Sequence, residues 1–257
     1  MNFTEEQILG HVALFIWPLM RVSAMFVSVP LFSIRSVPAR VRLILSVAIT
    51  LVVMPLLPPL PAVDMFSYTG FMMALTQVVI GLTSGFILQL VFASVVFAGQ
   101  GIALSMGLGF SMMVDPQSGE QVPVVAQIYT VTTTLIFISL DGHLLLIQML
   151  LDSFKTLPIG IDGIDKANIW SILLWSSQIF AGGLLLAMPV IASLLLVNVI
   201  FGVAARAAPQ LQIFSVGFPV TLMLGLLLVW KTLPDVLDQF SGMLTDAYGF
   251  IGQLLRL

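Results

Sequence analysis

The sequence predicts an all-α integral membrane protein with about six apolar segments, packed as kinked helical hairpins in a larger assembly. Apolar residues make up 59% of the 257 residues and charged residues only 8%, against roughly 25% charged in ordinary soluble domains. Mean hydropathy is +1.13. The run from Met65 to Val114 contains no Lys, Arg, Asp or Glu. Such a run must lie in lipid or against protein, because it cannot form the surface of a soluble domain.

Six apolar segments follow one another, most of them close to or above the roughly 20 residues that a membrane-spanning helix needs. They are about 8–34, 41–57, 71–98, 124–151, 169–203 and 213–230. Their lengths are uneven, and prolines fall within them or near their ends at Pro18, Pro30, Pro55, Pro189 and Pro219. We therefore expect broken helices, some of them outside the bilayer and covered by other subunits. A conventional lipid-facing bundle is the alternative.

Small and polar residues inside these segments indicate close packing against protein. Gly81 and Gly85 are four residues apart, which lets a neighbouring helix approach closely. Gln89 and Gln100 lie about 20° from each other on an ideal helix and need polar partners. Arg21, within the first segment, is costly at membrane depth unless it is paired. We expect its partner on a neighbouring subunit.

Arginines mark one short loop and one predicted turn. Arg35, Arg40 and Arg42 lie between the first two segments, and the positive-inside rule places that loop in the cytoplasm. The loop either fixes topology or contacts anionic lipid or a cytoplasmic partner. Arg206 begins a turn that ends at Pro209, where a cation suits the carbonyl end of the preceding helix. The N-terminus is acidic, so we expect the first segment to be retained rather than cleaved as a signal peptide.

One polar stretch, from Gly107 to Pro123, interrupts the apolar central part of the chain. Its first half combines glycines, which free the backbone, with bulky and adaptable apolar side chains. These residues are Gly107, Gly109, Phe110, Met112 and Met113, with Met106 just before them. Its second half has the composition of a turn that leads into a helix: Asp115, Pro116, Gly119, Glu120 and Pro123.

The residue inventory argues against an enzyme or a nucleic-acid-binding protein. The chain has no cysteine, no His-Glu-x-x-His motif and no Gly-x-x-x-x-Gly-Lys phosphate loop. Its basic residues form no long run. We expect no catalytic, metal or cofactor site. A membrane serine protease using Ser111 and His143 is a remote alternative, and an autonomous secondary transporter would need internal symmetry that the sequence lacks.

Three patches, in their order and spacing, carry a resemblance that covers essentially the whole chain. They run from Pro30 to Arg42, from Val114 to Pro123 and from Ala205 to Pro219. Together they resemble the FliR family of flagellar export gate proteins, with the injectisome SctT proteins as relatives. The resemblance implies a subunit of the inner-membrane export gate of the bacterial flagellar type III secretion system, partly at periplasmic level. A virulence (injectisome) export gate is the alternative.

The resemblance also implies partners and an internal division. One copy of the chain would join several FliP-like and FliQ-like subunits, with an FlhB-like subunit nearby, around a channel for unfolded proteins. Residues 1–165 would form a FliP-like helical hairpin region that includes the plug loop 106–122. Residues 166–257 would form a FliQ-like hairpin region. The resemblance implies that the plug loop reaches into the lumen and helps close it, with Met106, Gly107, Gly109, Phe110, Met112 and Met113 as plug or gasket residues. An ordinary helix–helix turn is the alternative.

Overall fold

A computed structural model describes residues 5–33, 37–58, 63–109, 112–114, 121–207 and 213–257. Within these ranges the chain forms α-helices and one pair of three-residue strands. The helices are α1 Glu5–Ser28, α2 Ala39–Val53, α3 Tyr68–Ser105, α4 Val124–Ser139, α5 Gly142–Thr156, α6 Lys166–Trp175, α7 Gln178–Ala207 and α8 Ile213–Leu255. A 3-10 turn, Met54–Leu56, follows α2, and the strands are β1 Met112–Val114 and β2 Gln121–Pro123. The predicted all-α membrane class is confirmed.

Two helices are much longer than a membrane is thick. With 38 residues in α3 and 43 in α8, a rise of 1.5 Å per residue gives lengths of about 57 and 65 Å. The hydrocarbon core of a bilayer is only about 30 Å thick. Parts of α3 and α8 must therefore lie outside it or cross it at a steep tilt.

The number of helices suited to spanning a membrane is smaller than the six apolar segments. In the described ranges, four helical stretches are long and apolar enough: Ala39–Leu56, Tyr68–Ser105, Lys166–Ala207 and Gly217–Leu255. A fifth arises only if α4 and α5 together count as one broken span. The apolar part of α1, Val12–Ser28, is shorter. Hydropathy along the sequence thus predicts more membrane spans than the length and composition of the helices support.

The prolines interrupt fewer helices than the sequence suggests. Pro18, Pro189 and Pro219 lie inside α1, α7 and α8 and end none of them, which corrects the expectation of breaks there. In apolar surroundings, leaving the helix would orphan many backbone groups, whereas each proline removes one hydrogen bond. Pro30 follows α1, and Pro55 lies in the 3-10 turn after α2.

The chain divides into two compact units, each assembled from separate stretches of sequence. The first unit contains Met1–Gln89, Leu140–Ser176 and Asp246–Leu257, and the second contains Leu90–Ser139 and Ser177–Thr245. The predicted division at residues 165 and 166 concerns likeness to two other proteins rather than contacts within this one. It stays a prediction.

Close helix contacts in the first unit depend on the predicted small residues. A Cβ atom on Gly81 would collide with the carbonyl oxygen of Arg21 in α1, and one on Gly85 would collide with Ser28. The expected close approach at Gly81 and Gly85 is therefore confirmed, with α1 as the neighbour.

The second unit packs the C-terminal part of α3 against α4 and α8. Phe92 of α3 makes edge-to-face contacts with Phe137 at 5.5 Å and with Phe240 at 5.4 Å between ring centroids. Edge-to-face pairs at this distance are favourable beyond the area they bury. A Cβ on Gly99 would collide with the backbone of Ala126 in α4. This packing fixes the helix that leads into the predicted plug loop.

Candidate functional site

The loop after α3 begins at a Schellman motif, the hydrogen-bonded cap that closes many helices. The Leu108 N–H donates to the Ala103 carbonyl at 2.8 Å, and the Gly107 N–H donates to the Leu104 carbonyl at 3.1 Å. Gly107 has a φ of 78°, the left-handed conformation that such a cap requires. The direction in which the loop leaves α3 is therefore set by backbone geometry at one residue.

The two glycines predicted to free this backbone differ in their roles. Gly107 is the described glycine with a positive φ, and a Cβ there would also lie 3.1 Å from the Phe218 ring. Gly109 has no such conformation. A Cβ on Gly109 would meet the end of the Leu104 side chain at 2.9 Å, and that side chain is free to rotate away. The conformation of the loop root thus depends on Gly107 rather than on Gly109.

The predicted gasket residues also differ from one another. Met106 is 1% exposed, and a Cβ on Gly225 of α8 would lie only 2.6 Å from its Cγ. Its side chain is committed to packing between α3 and α8. Met113 is 49% exposed and free to contact other molecules. Phe110 lies outside the described residues, and so does the side chain of Met112. The gasket role stays a prediction.

The strands β1 and β2 form an antiparallel pair that the sequence analysis did not anticipate. Met112 lies opposite Pro123, Met113 opposite Val122 and Val114 opposite Gln121. Pro123 ends β2 immediately before α4, whereas we predicted it as part of a turn that leads into the helix. Four of the predicted turn residues lie outside the described ranges: Asp115, Pro116, Gly119 and Glu120.

An open cavity of about 430 Å³ lies beside the loop root in the second unit. Met106, Gly107 and Phe218 line it together with Asn198 and Phe201 of α7. The loop therefore leaves α3 next to empty space on one side and a packed α3–α8 contact on the other.

The predicted arginine sites are only partly described. Arg40 is exposed, and Arg42 donates from Nη2 to the Val37 carbonyl at 3.4 Å. Arg206 is exposed in the last turn of α7, where a cation suits the helix carbonyls. Arg35 and Pro209 lie outside the described residues. The roles suggested for these residues stay predictions.

The sequence analysis identified Arg21 but assigned its partner wrongly. Arg21 is fully buried in the first unit, and each of its three guanidinium nitrogens donates a hydrogen bond to a group of the same chain. Nε donates to Gln77 Oε1 at 2.8 Å, Nη1 to Ser153 Oγ at 3.0 Å and Nη2 to the Leu157 carbonyl at 2.9 Å. The guanidinium carbon also lies 4.2 Å from the centre of the Phe154 ring.

No acidic side chain neutralises this guanidinium among the residues that the structure describes, where the recorded salt bridge joins Lys155 to Asp152. Neutral oxygens and an aromatic face stabilise the charge instead. The arrangement ties α1, α3 and α5 together, and Gln77 is the component that the sequence analysis missed. The available signal was its position four residues before Gly81, on the helix face that packs against α1.

Comparisons with known proteins match nearly the whole chain, including residues 106–122. The model of the family "Bacterial export proteins, family 1" matches residues 12–247. The flagellar biosynthetic protein FliR of Escherichia coli (strain K12) is 38% identical over 255 residues, which cover 99% of this chain and 97% of that protein. FliR of Pectobacterium carotovorum subsp. carotovorum is 36% identical over 255 residues, with 99% and 97% covered. FliR of Bacillus subtilis (strain 168) is 29% identical over 220 residues, with 84% of each covered. The chain belongs to the FliR family of bacterial flagellar export proteins.

Proposed function

We propose that the chain is a subunit of the inner-membrane export gate of the bacterial flagellar type III secretion system. There it helps to form and seal the channel for unfolded flagellar proteins. The observation that carries this proposal is the loop of residues 106–122, which leaves a 38-residue apolar helix at the Gly107 cap and presents the exposed side chain of Met113. The three FliR relatives are named as flagellar proteins, which favours a flagellar over an injectisome system.

The sealing role follows from the chemistry of the loop. A channel wide enough for an unfolded polypeptide must block ions when it is empty and yield when a substrate arrives. Methionine side chains are flexible and apolar, so they can fill irregular space and move aside. The exposure of the Met113 side chain supports this role, with Phe110 and Met112 as its neighbours in sequence. Met106 anchors the loop root to α8 rather than lining the lumen.

The helix surfaces support assembly with other subunits. Large apolar side chains on α7 are exposed in the isolated chain, among them Leu185, Leu195, Leu196 and Val203. The 30 residues of α7 span about 45 Å, more than the roughly 30 Å of a bilayer core, so other subunits are suited to cover part of this face. Several FliP-like and FliQ-like subunits, with one copy of this chain, would supply the cover. The loop of Arg35, Arg40 and Arg42 would contact an FlhB-like subunit or anionic lipid.

Native mass spectrometry of the complex, tagged on this chain and extracted in mild detergent, tests the assembly. We expect one copy of the chain with several copies of each of two other membrane subunits. In cells that lack those subunits, the chain should be degraded or aggregate. A monodisperse, long-lived monomer from such cells would contradict the proposal.

A further inference from the structure

The β1–β2 pair has two different edges, because one of its six residues is a proline. In an antiparallel pair, opposite residues alternate between hydrogen-bonded and non-hydrogen-bonded pairs. Pro123 has no N–H, so it cannot exchange two hydrogen bonds with Met112, which lies opposite it. Met113 and Val122 therefore form the hydrogen-bonded pair.

This assignment determines which backbone groups point outward. At the edge of β1, both Met112 and Val114 direct their N–H and carbonyl groups away from β2. At the edge of β2, Gln121 does the same, but Pro123 offers only a carbonyl. In the described part of the chain the sheet contains only these two strands, so the donors and acceptors of the β1 edge have no strand beside them.

We propose that the outer edge of β1 binds the unfolded polypeptide in transit, which joins the sheet as a third strand through main-chain hydrogen bonds. This inference rests on the proposed function and adds to it the way in which the loop holds its substrate. Exported chains differ in sequence, but each presents the same main-chain donors and acceptors. A strand added to the edge of a sheet is bound through these main-chain groups and needs no particular side chain.

The size of the edge suits a passing occupant better than a permanent one. β1 has only three residues, and only two of them direct their N–H and carbonyl groups away from β2. A third strand paired with so short an edge is held weakly. A permanently bound subunit would need a longer edge. A moving chain can also re-form the same bonds after each shift of two residues, because side chains keep their faces at that spacing.

Two proline substitutions, at residues that lie opposite each other in the strand pair, test the β1 edge and the β2 edge separately. Val114→Pro removes an outward N–H from the β1 edge, and Gln121→Pro removes one from the β2 edge. Edge strands accept proline where the N–H faces away from the sheet. We expect both variants to assemble and to seal when idle. The export rate should fall about two- to tenfold with Val114→Pro, as for the loss of one hydrogen bond, and stay unchanged with Gln121→Pro. Equal export rates for the two variants would overturn the proposal.

Disulfide trapping tests the contact directly, since the chain has no native cysteine. A flagellar protein fused to a tightly folded domain is stalled in the complete gate, with single cysteines at consecutive positions. Met113→Cys on this chain is the trapping site, because that side chain is exposed. A third strand should give high yields at every second substrate position.

The outcomes separate the inference from the proposed function. Trapping with equal yields along the substrate, or trapping of a neighbouring subunit at this site instead, would overturn strand addition and leave the channel role intact. Failure of Met113→Cys and of every other cysteine in residues 106–122 to trap a stalled substrate would overturn both.

Discussion

The buried Arg21 arrangement predicts a large stability effect from one substitution that removes no charge. Gln77→Leu deletes the acceptor of the 2.8 Å bond from Arg21 Nε and leaves a charged donor buried without a partner. Hydrogen bonds to charged groups contribute about 1.5–3 kcal/mol, and an orphaned donor also keeps its desolvation penalty. We therefore expect a loss of about 2–3 kcal/mol. Gln89→Leu is the matched control, because Gln89 lies on the same helix but is exposed.

A double substitution tests the mechanism behind that loss. With Arg21→Met added to Gln77→Leu, no guanidinium remains to be solvated, so the double variant should lose less than the sum of the two single losses. The shortfall should be about 0.5–3 kcal/mol, the range for groups in direct contact. The assay is thermal unfolding of the purified complex for the parent, the three variants and the Gln89→Leu control. Strictly additive losses, or equal effects of Gln77→Leu and Gln89→Leu, would refute the reasoning.

Two further predictions use glycines with matched controls. Gly107→Ala forces an L side chain into the left-handed conformation of the cap, at a cost of about 1–2 kcal/mol; it should raise the ion leak of the idle gate, whereas Gly109→Ala should leave the leak near the parent value. A leak unchanged by Gly107→Ala would show that the seal does not depend on this cap. Gly99→Ala overpacks the α3–α4 contact and should destabilise the complex by about 1–3 kcal/mol. Its control is Gly242→Ala, where no atom lies within 4 Å of the new Cβ. That substitution should stabilise α8 by about 0.4–1 kcal/mol. Thermal unfolding compares Gly99→Ala with Gly242→Ala. A shift of the unfolding temperature in the same direction for both variants would contradict the packing described here.

The helical class was predictable because it depends on composition summed over the whole chain. Individual helix ends were harder to predict. We ended the last apolar segment at Trp230, yet α8 continues to Leu255. Lys231, Asp235 and Asp238 signalled the end of an apolar segment, but they are exposed residues of an uninterrupted helix. Charge limits how far a helix remains in lipid without ending the helix itself.

The candidate site was predictable where one residue carries the signal and unpredictable where the signal is tertiary. A glycine at position 107 was correctly interpreted as a special backbone position. Strands of three residues show no periodicity, so the pairing of β1 with β2 had no sequence signal. Arg21 and Gln77 lie 56 residues apart, and nothing local to either residue indicates the other. Met106 and Met113 are both methionines of the predicted plug loop, and only packing distinguishes the buried Met106 from the exposed Met113.

The seal itself is tested most directly by ion conductance through the idle gate. In cells expressing the gate, Phe110, Met112 and Met113 are changed together to Gly, with Asp115→Asn as a control in the predicted turn. Assembly of the complex is verified in parallel, and osmotic swelling gives a second measure of leakage. We expect the triple variant to assemble and to leak ions, because it lacks the apolar side chains that we propose close the lumen, while Asp115→Asn leaks little. A triple variant that assembles fully and seals as tightly as the parent would contradict the proposal that this loop closes the channel.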